Sequence, residues 1–217
     1  MTAEPDLLVV GFAQERNITE VLHFTTNRGL IGIFDRGAVC SRDQLNEDER
    51  LDSVKLLNCE SRHKDAAWTG YVNMSISRVN NSMLGTSQRW HERAGIWWAV
   101  LSFDPEILGH QDVQFTTTNN TYPVVRRQTG LKGITDLFSE TVPYGYYGSV
   151  VRRHRGSLPE HTTDVQAEVL YPASVALSWL RSIYVPEPEH IDEIAGWVAA
   201  FSNVPNVDVA CKPEIFQ

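Results

Sequence analysis

Glu168 is the residue whose type and setting first point to chemistry, because its carboxylate interrupts the mostly apolar run 165–170. The alternation in this run predicts a strand with Glu168 and Gln166 on one face and apolar side chains on the other. A carboxylate there lines a cleft or lies on the exposed face of an edge strand, and the pattern alone favours exposure. Glu168 is therefore a candidate catalytic group that needs support from the rest of the chain.

His23 ends a short predicted strand, and Thr25 and Thr26 separate it from a predicted helix. Threonine hydroxyls and the free backbone amides of a helix N-terminus suit a phosphate or a ribose. A histidine in this setting is also common as a structural residue, so both interpretations stand here. The spacing of Gly29 and Gly32 does not match the dinucleotide fingerprint, and no Gly-x-x-x-x-Gly-Lys-Ser/Thr motif occurs. Any NAD site would therefore not be of the Rossmann type.

Metal and serine-hydrolase chemistry find little support in the sequence. The histidines with acidic neighbours lack the His-x-x-x-His or paired-cysteine spacing of a metal site; they are His91, His110, His154 and His161. The three cysteines are odd in number and widely spaced, which indicates reduced thiols. No Gly-x-Ser-x-Gly nucleophile elbow is present. We therefore expect neither a bound metal nor that type of hydrolase.

Short strands and a few helices must position these residues. Residues 71–77 alternate, so Val72, Met74 and Ile76 are predicted to face the core. The continuous apolar run 96–103 predicts a central strand covered on both faces. Further strands are predicted at 113–118 and 207–210, one helix between an Asn27 cap and Gly37, and another over 191–201. Because strands and helices do not alternate regularly, we expect a single α+β domain over residues 1–217.

The composition is that of a globular protein, with 217 residues, 42% hydrophobic content and a formal net charge of −8. This acidity argues against broad non-specific binding to duplex DNA, which needs many Lys and Arg contacts to phosphates. Two locally basic patches remain compatible with nucleic acid: Arg126-Arg127 with Lys132, and Arg152-Arg153-His154-Arg155. No window is apolar enough to cross a membrane, and the first residues do not resemble a secretion signal, so we expect a cytoplasmic protein.

Five motifs, in order and over nearly the full length, resemble those of the DarT-type DNA ADP-ribosyltransferase toxins. The two most diagnostic motifs are residues 22–33 and residues 166–170, the second of which contains Gln-Ala-Glu. The other three cover residues 71–77, 98–105 and 115–122. The number and order of these matches make the resemblance specific.

The resemblance implies an α+β fold of the ADP-ribosyltransferase type, in which two small sheets with flanking helices form a cleft for the co-substrate NAD. By position, Glu168 matches the family's catalytic glutamate. NAD contacts would come from His23, Phe24, Thr25, Gly32, Cys40, Asn73 and Ser75. The loop 148–164 would present the target, and nucleic acid would contact Arg152, Arg153, Arg155, Asn119 and Asn120. No metal is implied.

The family's catalytic arginine lies between the first motif and the strand at Tyr71. Arg62 is favoured because it precedes the Asn73 strand at the closer spacing, and Arg50 is the alternative. A guanidinium is too weakly acidic to act readily as a base, so the arginine would clamp a phosphate or orient the target base. Glu168 would accept a hydrogen bond from a ribose hydroxyl and stabilise the positive charge that develops on the sugar.

Single-stranded or flipped DNA is the expected substrate, because bases inside a duplex hide their reactive edges. Tyr144, Tyr146 and Tyr147 either stack such a base or pack as ordinary aromatic residues. The Asn-x-Ser-x-Ser pattern at residues 73–77 resembles the guanine-associated branch of the family, so guanine is favoured and thymine is the alternative.

The resemblance also implies a toxin of a toxin–antitoxin or phage-defence system, whose partner is a DarG-like macrodomain antitoxin. Two rival interpretations remain open at this point. One is the same chemistry directed at RNA, because the two nucleic acids differ mainly by a hydroxyl that no motif reports on. The other is a non-catalytic module that binds NAD or nucleic acid, against which the intact Gln-Ala-Glu triplet counts.

Overall fold

The computed structural model describes residues 4–45, 67–90 and 95–217, and the following bounds refer to those ranges. The α-helices are α1 (Leu7–Glu15), α2 (Asn27–Arg36), α3 (Asn81–Trp90), α4 (Gly130–Asp136) and α5 (Glu189–Ala200). Short 3-10 helices cover Arg42–Gln44, Pro105–Gly109, Leu177–Trp179 and Pro213–Phe216. None of these described helices has the length and apolar character that a membrane span requires.

The strands are β1 (Val21–Thr26), β2 (Ala38–Cys40), β3 (Tyr71–Ile76), β4 (Trp98–Phe103), β5 (Gln114–Thr116), β6 (Arg127–Thr129), β7 (Thr141–Pro143), β8 (Val150–Arg152), β9 (Glu168–Pro172), β10 (Ser174–Ala176), β11 (Leu180–Val185) and β12 (Asp208–Cys211). Eight of them form one sheet in the order β12-β11-β4-β1-β3-β9-β5-β6, and β10–β2 and β7–β8 form two-stranded pairs.

This topology confirms the α+β class and shows that the expectation of two small sheets forming a cleft is wrong. The backbone ladder continues through β1 and β3, which pair antiparallel with Val21 opposite Ile76 and Leu22 opposite Ser75. Strand edges that would have ended two separate sheets are therefore used for pairing within one sheet.

Two compact units make up the fold, and each is described by itself. Unit 1 comprises Met1–Leu22, Asn73–Arg78 and Asp104–Pro172, and unit 2 comprises His23–Val72, Val79–Phe103 and Ala173–Gln217. Each unit is assembled from three separate stretches of chain. The single domain expected over residues 1–217 stays a prediction.

In unit 1, β5 is the strand around which the core is organised. It pairs antiparallel with β9 on one side and with β6 on the other. Phe115 of β5 and Val169 of β9 are buried, together with Ile134 of α4. The ring of Phe12, from α1, meets Phe138 edge to face at 5.5 Å. Apolar packing on these strands fixes the end of β9 at which Glu168 lies.

Strand β9 begins later than the sequence predicted, at Glu168 rather than at residue 165. The reason is a turn at Asp164, whose carbonyl accepts a hydrogen bond from Ala167 N at 3.1 Å. Gln166 therefore lies in a turn and not on a strand face beside Glu168. The alternation still holds in one respect, because Ala167 and Val169 are buried and Glu168 is half-buried.

In unit 2, β4 is buried along all six residues, as its continuous apolar run predicted. It pairs antiparallel with β11, and β12 adds to the other side of β11 in parallel. Helix α2 ends as predicted at Gly37, whose φ of 68° is left-handed. Its N-cap is Thr26 rather than Asn27: the Thr26 hydroxyl accepts from Gly29 N at 3.1 Å, and Asn27 is the first helical residue.

The remaining boundaries differ from the predictions by a few residues at each end. Strand β3 matches best, since Val72, Met74 and Ile76 are buried as the alternation indicated. The strand predicted at 113–118 ends at Thr116, because Thr117 N pairs with the carbonyl of Arg126 outside the regular ladder. Helix α5 and strand β12 are the predicted elements at 191–201 and 207–210.

Candidate active site

Glu168 is held in place through both its backbone and its side chain. It is the first residue of β9 and lies opposite Thr116 of β5. The Glu168 backbone N–H donates to the Thr116 hydroxyl at 3.2 Å. The Glu168 carboxylate accepts a hydrogen bond from the Asn73 side-chain amide at 3.1 Å. Two motifs that are 95 residues apart in sequence thus meet at this half-buried carboxylate.

The turn that leads into Glu168 is organised by Asp164, which is 3% exposed. One carboxylate oxygen accepts from the Thr118 hydroxyl at 2.6 Å, and the other accepts from Gln166 N at 2.9 Å. The Asp164 carbonyl also accepts from the Thr162 hydroxyl at 2.7 Å. These bonds fix the direction in which the chain enters β9.

Arg78 supplies the positive charge near this buried carboxylate. Its guanidinium donates to the carbonyl of Thr162 at 2.9 Å. Burial lowers the pKa of Arg78, and the negative charge of Asp164 opposes that effect. The sequence reasoning assigned no role to Asp164, Thr118 or Arg78. A usable signal was present, because an aspartate two residues before Gln166 is typical of a side-chain-capped turn.

Gln166 connects the same turn to an aromatic cluster. Its side-chain amide donates to the Tyr144 hydroxyl at 3.2 Å. The Tyr144 ring meets Tyr122 edge to face at 5.5 Å. Burial raises the pKa of Tyr122, and so does its hydrogen bond to Tyr144. Tyr122 is therefore neutral near pH 7.

The residues predicted to form the first NAD-binding motif lie in unit 2, on β1 and the start of α2. His23, Phe24 and Thr25 are half-buried residues of β1. The rings of His23 and Phe24 stack at 6.5 Å, and Phe24 contacts Trp98 at 5.7 Å. The strand thus leads directly into a capped helix N-terminus, which is the arrangement that the sequence predicted.

Asn27, at the first turn of α2, presents a buried acceptor. Its backbone N–H donates to the carbonyl of Trp97 and its side-chain amide donates to Gly95 O, both at 2.9 Å. Its side-chain oxygen Oδ1 is buried, and no group in the described part of the chain hydrogen-bonds to it. Nearby, a Cβ on Gly29 would lie 2.3 Å from the Thr25 hydroxyl oxygen, so a larger residue there would displace Thr25 or the surrounding chain. A hydroxyl donor would satisfy the Asn27 oxygen.

Other residues predicted to contact NAD lie in three different elements. Gly32 is exposed on α2, and Ser75 is half-buried on β3. Cys40 ends β2, and its thiol lies 3.9 Å from the carbonyl of Ala38. Arg50 and Arg62, the two candidates for the catalytic arginine, lie outside the described residues.

The residues predicted to contact nucleic acid divide by exposure. Arg152 ends β8 and is exposed, as is Arg155. Arg153 instead braces its own loop, since its guanidinium donates to the carbonyls of His161 and Leu158 at 2.7 and 2.9 Å. Asn119 Oδ1 accepts from Thr121 N at 2.9 Å, and the buried Asn120 accepts from the Arg127 guanidinium.

The other predicted basic patch, Arg126-Arg127 with Lys132, is partly engaged in internal contacts. Arg127 bonds to Asn120, and Lys132 pairs with Asp136 at 2.9 Å, whereas Arg126 is exposed. Over residues 4–45, 67–90 and 95–217, no group of three His, Cys, Asp or Glu residues is placed to hold a metal ion.

The fold matches solved structures of one family. Thermus sp. 2.9 DarT in complex with NAD+ matches with a TM-score of 0.65 at 16% identity, over 92% of this chain and 98% of that one. The same protein with ADP-ribosylated ssDNA matches with a TM-score of 0.70 at 15% identity, over 93% and 97%. Thermosipho africanus DarTG in complex with ADP-ribose gives 0.56 at 15% identity, over 91% of this chain and 51% of that one.

No curated protein matches the chain. One protein-family model does, over residues 22–217, and its description is "ssDNA thymidine ADP-ribosyltransferase, DarT". The match covers every motif on which the resemblance rested and confirms the predicted enzyme class. This chain therefore belongs to the DarT family of ADP-ribosyltransferases.

Proposed function

We propose that this chain transfers ADP-ribose from NAD to a base of single-stranded DNA, with Glu168 as the catalytic carboxylate. The observation that carries this proposal is the 3.1 Å hydrogen bond from Asn73 to the Glu168 carboxylate. It joins two motifs of the family at one group that is suited to stabilise positive charge on a sugar. A structural surface glutamate would need no such orienting partner.

The β1–α2 junction fits the sugar and phosphate parts of NAD. The Asn27 side-chain oxygen is buried without a hydrogen-bond partner in the described part of the chain, and it lies at the first turn of a helix, where a ribose or phosphate suits the backbone amides. NAD supplies a ribose whose bond to nicotinamide breaks as a base nitrogen attacks the same carbon, releasing nicotinamide and a proton from the base. The same co-substrate is present in the Thermus protein.

The proposed roles of individual residues are those that the family resemblance assigns to their motifs. Glu168 accepts a hydrogen bond from a ribose hydroxyl, and Asn73 orients its carboxylate. His23 holds the adenosine-side ribose, and the further NAD contacts are Phe24, Thr25, Gly32, Cys40 and Ser75. Arg62, or Arg50 in its place, clamps a phosphate or orients the base. Arg152 and Arg155, both exposed, contact the DNA backbone.

Guanine is the proposed target base, on the Asn-x-Ser-x-Ser pattern at residues 73–77. Thymine is the second candidate, because the family description names thymidine. We also propose that the chain is the toxin of a pair whose antitoxin is a DarG-like macrodomain protein. The DarTG structure with ADP-ribose supports that pairing by analogy.

The deciding experiment incubates the protein with NAD and short oligonucleotides and follows the mass of one ADP-ribose. Four single-stranded DNAs each lack one base, and a matched set is made in RNA. We expect only the DNA lacking guanine to escape modification. If instead only the DNA lacking thymine escaped, the target base would be thymine. If only the RNA strands were modified, the substrate would be RNA and not DNA.

The role of Glu168 is tested by Glu168→Gln, which keeps the shape of the side chain and removes its charge. Transfer should fall by roughly 10²- to 10³-fold or more, which is typical of losing one preorganised electrostatic group. Glu160→Gln is the matched control. Glu160 is a half-buried glutamate of unit 1, and none of the described hydrogen bonds joins it to Glu168 or to the Glu168 partners Asn73 and Thr116. Full activity of Glu168→Gln would contradict the assignment.

A further inference from the structure

Four tyrosines form a continuous aromatic row in unit 1, and no role in the reaction described above requires it. We define the tyrosine row as Tyr122, Tyr144, Tyr146 and Tyr147. Tyr122 meets Tyr144 at 5.5 Å and Tyr146 at 5.7 Å, and Tyr146 meets Tyr147 at 6.2 Å. The row becomes steadily more exposed, with Tyr146 at 45% and Tyr147 fully exposed.

The exposed end of the tyrosine row is presented by an unusual turn. Tyr144, Tyr146 and Tyr147 lie in the connection between β7 and β8, and Tyr147 has a φ of 60°. A bulky residue in this left-handed region is strained, and such strain is concentrated at binding sites. The turn is nevertheless ordered, since Tyr144 N donates to Ser149 O at 2.9 Å. Folding gains nothing from a strained and fully exposed aromatic ring.

The inner end of the row reaches the turn that leads into β9. The Tyr144 hydroxyl accepts from Gln166, which precedes Glu168 by two residues. The Tyr122 hydroxyl is neutral near pH 7, as tyrosine ordinarily is, and burial raises its pKa further, so it adds no negative charge that would repel a phosphate. Exposed arginines belong to the same unit: Arg126 follows Tyr122 by four residues, and Arg152 ends the hairpin strand β8.

We propose that the tyrosine row stacks the bases of single-stranded DNA next to the base that is modified. This inference rests on the proposed function and adds the subsite that holds the flanking nucleotides. Aromatic faces stack on any base, whereas the arginines pair with phosphates, so the row supplies affinity without reading the sequence. A protein partner would not need a series of tyrosine rings that leads inward to Gln166.

Binding of a fluorescein-labelled single-stranded DNA to Glu168→Gln protein, measured by anisotropy, tests the row without turnover. Adding Tyr147→Ala to Glu168→Gln should raise the Kd roughly tenfold, and adding Tyr146→Ala should do the same. Adding Tyr147→Phe should leave the Kd of the Glu168→Gln parent unchanged. Leu158→Ala is the matched control, since Leu158 is exposed by 52% in the same unit and lies outside the row. Tyr147 is fully exposed, so its removal does not threaten folding.

Abasic sites placed one at a time along the oligonucleotide then locate the contact. An abasic site beside the target base should raise the Kd of the Glu168→Gln parent, which retains Tyr147. The same abasic site should not raise the Kd further when Tyr147→Ala is added. Equal Kd values for Tyr147→Ala and its parent would overturn the tyrosine row as a DNA site. The same conclusion would follow if Tyr147→Ala weakened only the binding of a macrodomain partner and left the Kd for DNA unchanged. Absence of ADP-ribose transfer by the wild type would refute the proposed function, but the anisotropy result would still decide the stacking.

Discussion

Two segments of the chain carry the predicted chemistry, and they differ in how they are held in place. The side-chain acceptor and donor that fix the approach to Glu168 are far along the sequence: Thr118 lies 46 residues from Asp164, and Asn73 lies 95 residues from Glu168. The β1–α2 junction adds a local bond to its distant ones: the Thr26 hydroxyl caps Gly29 three residues away, while Asn27 bonds to the carbonyls of Trp97 and Gly95.

The two segments therefore tolerate different changes. A carboxylate positioned by distant partners moves whenever one of those partners is lost, even if no neighbouring residue changes. A strand–helix junction with a local cap is also sensitive to changes within its own few residues. Buried polar networks of the first kind are costly when only one partner is removed.

Asp164→Ala should produce the largest effect on this comparison. It deprives the Thr118 hydroxyl and Gln166 N–H of their acceptor, at about 1–3 kcal/mol for each group, so the free energy of unfolding should fall by about 2–6 kcal/mol. Transfer activity should fall as well, because Glu168 loses its fixed approach. Urea denaturation and the initial rate of transfer measure the two effects.

Asp164→Asn separates charge from geometry at the same position. It keeps one acceptor oxygen for the turn but removes the negative charge that opposes the burial of Arg78. We expect a smaller loss of stability than in the alanine variant, with transfer still reduced. If both Asp164 variants transferred ADP-ribose at the wild-type rate, the long-range network would have no part in positioning Glu168.

Gly29→Ala should break the local segment. The added Cβ would lie 2.3 Å from the Thr25 hydroxyl oxygen, so the Thr25 side chain or the backbone around it must shift, and overpacking of this kind typically costs about 1–3 kcal/mol. Because the shift is at the proposed NAD contacts, the KM for NAD should rise by roughly tenfold, on the order of 1.4 kcal/mol. Steady-state transfer at varied NAD measures it.

Gly11→Ala is the matched control for that substitution. Gly11 also lies in a helix, but a Cβ there meets nothing within 4 Å. Alanine should therefore stabilise α1 by about 0.5–1 kcal/mol through helix propensity and leave the KM for NAD unchanged. An unchanged KM in Gly29→Ala would show that Thr25 moves away at no cost to NAD binding.

The same contrast explains what the sequence could reveal. The β1–α2 junction was predicted nearly completely, because capping and helix periodicity act over three or four residues and can be read directly. Only the cap was misplaced, at Asn27 instead of Thr26, because both residue types cap well and lie side by side. Strand β4 could be predicted equally well, since burial on both faces leaves a continuous apolar run in the sequence.

The long-range bonds of the turn before Glu168 could not be predicted from the sequence, for a physical reason. Asp164, Thr118 and Arg78 are ordinary polar residues in the sequence, and only the fold brings them together. The eight-stranded sheet was missed for the same reason, because the pairing of β1 with β3 depends on residues about 50 positions apart. The resemblance identified Glu168 and Asn73 individually, but the hydrogen bond between them required the structure.

Thr26→Ala tests the local cap of α2 and should have a moderate effect on stability. It removes the hydroxyl that accepts from Gly29 N, and loss of such a helix cap typically costs about 1 kcal/mol. Thr26→Ser keeps the hydroxyl and should retain most of that stability. Urea denaturation of the two variants gives the difference, and equal stabilities would mean that another group caps α2.

The smallest expected effect is a pH dependence at the far end of β9. His110 Nδ1 lies 2.7 Å from the Tyr171 hydroxyl, and burial lowers the pKa of His110, against the opposing charges of Glu106 and Asp104. Below its usual pKa of about 6.5 the unfolded chain binds more protons at His110 than the folded chain does. The free energy of unfolding should therefore decrease as the pH falls from about 6.5 through the lowered folded pKa, and be unaffected by His110 above about pH 7.5.

His110 is only half-buried, so solvent screening should keep this contribution below about 1 kcal/mol. Urea denaturation at pH 5.5 and 7.5 should show a smaller loss in His110→Gln than in the wild type. The exposed His154 provides the control variant, His154→Gln, which should keep the wild-type loss. If His110→Gln lost as much stability on acidification as the wild type, the burial of His110 would not be a source of the acid sensitivity.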